Sequence, residues 1–130
     1  MTEEDIIQAG TAVMKRAYSI FRERAFEAVL MPAGMRGAYH ATSLAGARIV
    51  MSVAPKIAGM LAGEAPPWKE HVNEPIASDV IDRLMTIPEF VRAYEPDGMK
   101  PEEFITYGVT QKTLSQFVEA GWLPIEGYTL

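Results

Sequence analysis

The stretch from Ala28 to Leu61, AVLMPAGMRGAYHATSLAGARIVMSVAPKIAGML, constrains the fold more than any other part of the chain. Two apolar runs rich in branched residues, Ala28–Met31 and Arg48–Val53, flank a short helical pattern. That order is the signature of a βαβ unit with parallel strands. Parallel strands are buried on both faces and need a larger sheet around them. Only two such runs occur, so the chain is expected to be one piece of something larger.

At 130 residues the chain fits one modest core, and 48% hydrophobic with 22% charged residues is the composition of a globular protein. The net charge is −5, with Lys and Arg scattered, so the basic stripe that a general nucleic-acid binder needs is missing. No cysteine is present, which excludes a disulfide framework and a thiolate metal site and is compatible with the cytoplasm. The absence of a run of about 18 apolar residues predicts no membrane span, and the acidic opening predicts no signal peptide.

Thr2-Glu3-Glu4-Asp5 reads as a helix start, a hydroxyl cap followed by acids in the positive first turn. Ile6, Gly10, Val13, Ala17, Phe21 and Ala25 recur at helical spacing and are expected to form the inward face. Pro32 ends the first strand. Gly34-Met35-Arg36-Gly37 turns into a helix over Ala38–Leu44, closed by Gly46 as a left-handed cap. Pro55 suits the first position of a helix running from Lys56 to Leu61 and closed by Gly63. Glu64–Pro75, with Trp68, reads as an irregular crossing.

The last third is expected to be helical. Ser78 caps Asp79–Met85, Pro88 opens a helix through Tyr94, and Pro96-Asp97-Gly98 is a turn. Pro101-Glu102-Glu103 opens another helical turn, and Thr110 caps a last helix that turns Leu114, Phe117 and Val118 inward and ends at Gly121. The expectation is thus an α-β-α-β-α segment over 1–63, carrying an anion-binding turn, and a helical extension over 64–130. Such a segment belongs to a (β/α)8 barrel or a doubly wound sheet.

Arg36 is the first candidate site residue. It follows a strand, between glycines, at a helix start, where free N–H groups attract an anion and a guanidinium grips two phosphate oxygens. The alternative is an arginine that caps or pairs at the surface. Lys56 follows the second strand on the same face and is either a second phosphate ligand, an imine-forming amine, or a solvated helix-start lysine. His40 and His71 lack a ligand-spaced partner, so no metal is expected. Asp79, Asp82, Glu102 and Glu103 read as helix-start and surface acids, and Tyr39, Tyr94, Tyr107 and Trp122 as packing residues. The eight methionines read as core or interface filler.

MPAGMRG followed by SLAGARIVMSVAPKIAGML resembles the end of the barrel in transaldolases, and IPEFVRAYEPDGMKPEEFITYGVTQKTLSQFVEAG resembles their helical C-terminal extension. Together the matches run from about Gly10 to Gly121. The resemblance implies the seventh and eighth strands of a (β/α)8 TIM barrel, with Arg36 holding the substrate's sugar phosphate and no cofactor. The family's serine two positions earlier falls on Gly34. The family's imine lysine and proton-handling acids belong to strands that would precede Thr2, so none lies in this chain. A split enzyme is therefore implied, in which a partner chain supplies strands one to six. The alternative is a non-catalytic protein, derived from such a barrel, that closes on copies of itself.

Overall fold

The computed structural model describes residues 1–63 and 69–128. Residues 64–68, where the expected crossing begins and Trp68 falls, lie outside the described set. The chain divides into two compact units, Met1–Thr86 and Ile87–Leu130.

The expected α/β barrel segment is overturned: the described residues form helices only, with no strand and no sheet. In the first unit α1 spans Glu3–Glu23, α2 Ala38–Thr42, α3 Pro55–Gly63 and α4 Ser78–Leu84. The two apolar runs are extended and lie side by side in the same direction. The Val50 N–H donates to the Leu30 carbonyl at 3.1 Å and the Ser52 N–H to the Pro32 carbonyl at 2.9 Å. A parallel ladder requires Val50 to accept a bond in return from the N–H of residue 32. That residue is proline and has no N–H, so the pairing stays one-sided and no ladder forms. The outer face of the pair is also bare, with Val29, Met31 and Val50 all more than half exposed.

The cap at Thr2 forms as a full capping box: the Asp5 N–H donates to Thr2 Oγ1 at 3.2 Å, and the Thr2 N–H donates to Asp5 Oδ2 at 2.8 Å. The inward face of α1 differs from the one expected. Ile6 is exposed, and the buried residues are Asp5, Thr11 and Ala12. The cause is α4, which packs against α1 and brings Arg83 to Asp5. Arg83 Nε donates to Asp5 Oδ2 at 2.9 Å and Nη2 to Oδ1 at 2.8 Å, a bidentate pair, while Nη1 reaches Asp79 Oδ2 at 2.9 Å. Small side chains at Thr11 and Ala12 suit the close approach of α4, whose Leu84 is fully buried. Ala38, Ala41, Leu44, Ile57 and Val72 complete this core. Gly46 adopts the left-handed conformation expected of it, φ +88°, but α2 stops earlier than expected, with Ser43 as its C-cap, and Pro55 opens α3.

In the second unit α5 spans Pro88–Tyr94, followed by a 3-10 helix over Pro101–Thr106. Then come α6 (Gly108–Phe117), a π-helical turn (Val118–Trp122) and α7 (Leu123–Glu126). Phe90 stacks on Tyr94 at 5.1 Å, and Arg92 lies 5.4 Å from the Tyr107 ring while pairing with Glu89 at 2.8 Å. Gly98 permits a tight return after α5, because a Cβ there would lie 2.6 Å from the Arg92 carbonyl oxygen. Leu114, Phe117 and Val118, expected inward, are exposed, and the helix runs on through Gly121. No residue from 101 to 128 is buried.

Two predictions follow from the α1–α4 contact. The Arg83 guanidinium first, and the Thr2 N–H second, hold the Asp5 carboxyl well below the usual carboxylate range. A depressed carboxyl contributes stability that is present above about pH 4 and is lost as pH falls through the native value. Asp5→Asn is expected to lower the melting temperature by about 5 °C or more at pH 7. The gap from wild type should narrow in melts taken below pH 4. Thr11 Oγ1, by contrast, is buried with no hydrogen-bond partner among the described residues. Thr11→Val, which keeps the shape and removes the orphaned hydroxyl, should stabilise the chain by about 1 kcal/mol in urea unfolding.

Candidate functional site

The turn after Pro32 is built on glycine. Gly34 has φ +69°, in the left-handed region that L side chains seldom adopt, although nothing lies within 4 Å of where its Cβ would be. Backbone conformation, and not crowding, therefore disfavours a serine here. Arg36 is exposed, and its guanidinium makes no hydrogen bond or ion pair among the described residues. Its backbone N–H is not free as expected, since it donates to His40 Nδ1 at 3.2 Å, and the His40 N–H donates to the Gly37 carbonyl at 3.3 Å. The Arg36 N–H is thus taken by His40, while the guanidinium is left available among the described residues.

His40 was not singled out by the sequence beyond its poor prospects as a metal ligand, yet it organises this turn. Its ring stacks at a tilt on Tyr39, centroids 4.3 Å apart, and lies over Gly10 of α1, where a Cβ would sit 3.5 Å from Nε2. Accepting at Nδ1 requires the neutral ring with its proton on Nε2. Burial, then the positive charge of Arg36, pushes the His40 pKa below its ordinary value.

Lys56 is the second residue of α3 and is exposed. The pairing of Leu30 with Val50 and Pro32 with Ser52 relates the two candidates. Arg36 comes four residues after Pro32 and Lys56 four residues after Ser52, so both leave the same end of the extended pair. Gly34 sits on the path between Pro32 and Arg36.

A second polar cluster, built on Lys15, was missed by the sequence reading. The Lys15 ammonium donates to the carbonyls of His71 at 2.8 Å and Glu74 at 2.6 Å, and burial lowers its pKa against the opposing pull of Glu74. His71 Nδ1 meets Glu74 Oε2 at 2.8 Å, and the His71 and Val72 N–H groups donate to the Ala45 carbonyl. A 280 Å3 cavity adjoins this cluster, with Gln8, Thr42 and Ser43 on its wall. The polar groups largely satisfy one another, which makes the cluster a clasp holding residues 71–74 to α1. Helical spacing sets Lys15 well away from the expected apolar stripe of α1, so the stripe carried no signal of this cluster.

Asp79 pairs with Arg83, and Glu103 Oε2 accepts from the Lys100 N–H at 2.9 Å, so both are committed to local structure. Among the described residues no three metal-ligating side chains cluster. Nor is any helix there long and apolar enough to cross a membrane.

The His40 contact has a pH signature. A lowered histidine pKa contributes stability that is present above about pH 6.5 and is lost as pH falls below it. His40 in the folded chain is expected to titrate below pH 6.5 by NMR, with the Arg36 amide losing exchange protection over the same range. A native His40 pKa at or above 6.5 would contradict the geometry. His40→Phe should leave the Arg36 amide unprotected at every pH.

Comparison with protein-family models, curated proteins and solved structures found no match to this chain.

Proposed function

We propose that this chain is the phosphate-binding subunit of a transaldolase-like enzyme, which transfers a dihydroxyacetone unit between sugar phosphates. The imine lysine lies on a partner chain. The observation that carries this reading is the common exit of Arg36 and Lys56 from the extended pair. Two cations at one end of parallel backbone segments suit the dianionic end of a phosphorylated sugar. Arg36, whose guanidinium is free among the described residues, supplies the two-pronged grip. Gly34 lets the backbone turn in front of it, and Lys56 adds a second charge. This chain binds and orients, and the partner's amine and acids carry out the covalent steps.

The bare face of Val29, Met31 and Val50 is what such a partner would cover. A second reading, a non-catalytic protein that assembles with copies of itself, is favoured by one observation. The C-terminal helices bury no residue, and Phe117 and Trp122 are 72% and 58% exposed.

Native mass spectrometry of the tagged chain drawn from its own cells separates the two readings. The enzyme reading expects a complex with a second, larger polypeptide, and borohydride should trap a phosphorylated ketose on that polypeptide and not on Lys56. In the completed enzyme Arg36→Ala should raise KM for phosphorylated sugars by about 10- to 1,000-fold, the worth of a charge-assisted bidentate contact. An unchanged KM removes Arg36 from the site. A homo-oligomer without imine chemistry removes the enzyme reading.

A further inference from the structure

The leading end of the extended pair, opposite to Arg36 and Lys56, carries a cavity of 560 Å3. Its shape follows from how α1 stops. Ala25 has φ +50°, a left-handed conformation that a non-glycine residue adopts under strain. The Phe26 N–H donates to the Phe21 carbonyl at 3.0 Å and the Ala25 N–H to the Arg22 carbonyl at 3.2 Å, which closes the helix as a Schellman motif. The Phe26 ring folds back edge-on to Phe21, centroids 5.0 Å apart at 85°. The chain then doubles alongside the last turn of α1, and the Arg48 N–H donates to the Tyr18 hydroxyl at 3.0 Å. A cleft is left with aromatic walls from Tyr18, Phe21 and Phe26.

Two guanidiniums line that cleft, Arg22 and Arg48. Arg22 stands 5.7 Å from the Tyr18 ring centroid. Neither arginine forms an ion pair among the described residues, although Glu27 lines the same cavity. Arg22 and Arg48, against the single opposing charge of Glu27, leave this concavity net positive in a chain of net charge −5. The volume falls within the range of small-molecule sites, and the cavity is open and mainly polar, with an aromatic side from Tyr18, Phe21 and Phe26.

We infer that this cavity binds a planar aromatic ring bearing a phosphate group. Arg22 and Arg48 hold the dianion, and the ring lies against Tyr18 and Phe26. Two guanidiniums offer enough donors to engage three phosphate oxygens at once, more than the two oxygens of a carboxylate can use, and they outweigh the one opposing charge of Glu27. The ring supplies what inorganic phosphate lacks, apolar contact with the aromatic walls. Glu27 on the rim accepts hydrogen bonds from an exocyclic amine. The inference needs neither Arg36 nor a partner chain, so its outcome is independent of the sugar-phosphate reading.

The test is titration of the 15N-labelled full chain with adenosine 5′-monophosphate, adenosine and inorganic phosphate in turn. Adenosine monophosphate is expected to shift the amides of Phe26, Val29 and Arg48, and to bind more tightly than either of its parts. Arg22→Gln and Arg48→Gln are each expected to weaken it about tenfold, the loss of one charge-assisted contact. Arg36→Ala is expected to bind as wild type. Both arginines are exposed, so spectra of the variants should match wild type away from the cleft. The inference is overturned by any of three results: no shift in these amides at millimolar nucleotide, equal binding by adenosine or by phosphate alone, or unchanged affinity in both variants.

Discussion

The first unit depends on one carboxylate. Three acids open α1, and any of them satisfies the helix dipole, but Asp5 alone turns inward and is 4% exposed. Its Oδ2 takes the Thr2 N–H and Arg83 Nε, and its Oδ1 takes Arg83 Nη2, so one side chain both caps α1 and anchors α4. The residues it joins are 78 apart in sequence, and Leu84, beside Arg83, is the most deeply buried side chain. With few buried apolar residues in this unit, three of them alanines (Ala12, Ala38 and Ala41), the apolar contribution is modest. A directional, bidentate contact then decides which face of α1 meets α4. Removing Arg83 strands the buried Asp5 carboxylate, whereas removing Asp5 leaves a half-exposed Arg83 that still holds Asp79.

The second constraint is a missing hydrogen. Ala28–Met31 and Arg48–Val53 have strand composition, and they do lie parallel with two backbone bonds between them. Composition says nothing about the return bonds of a ladder, and Pro32 stands where the first of them should originate. An extended pair without its ladder still directs the chain. It sends Gly34–Gly37 and Ala54–Lys56 out at one end and leaves Arg48 and the turn after α1 at the other.

Local chemistry was legible at several helix ends, though not at Ser78 or Thr110, which were expected to be caps and lie inside α4 and α6. The Thr2 cap, Pro55 and Pro88 at helix starts and the left-handed Gly46 all fall where residue type alone puts them. What was not legible depends on residues far apart. Helical spacing in α1 pointed to Ile6 and Phe21 as inward, but a partner on α4 that wants a carboxylate turned Asp5 and Thr11 in instead. The role of Lys15 was hidden because its acceptors, the carbonyls of His71 and Glu74, carry no side-chain signature. Arg36 and Gly34 stand on a turn as expected. The N–H that an anion was expected to meet is taken by His40, a contact that depends on ring orientation and not on sequence pattern.

The C-terminal helices set a thermodynamic condition of their own. Helix α6, the π-helical turn and α7 run without a break over 108–126, and a helix owes most of its stability to packing of an apolar face and not to propensity. Yet Val109, Leu114, Phe117, Trp122 and Ile125 are all open to solvent. Internal bonds such as Thr113 Oγ1 to the Val109 carbonyl, at 2.8 Å, do not substitute for that burial. Helicity over 108–126 and the covering of these side chains are therefore one coupled equilibrium. Whatever covers this face stabilises the helices by its affinity for them, and in its absence their order is the first to be lost.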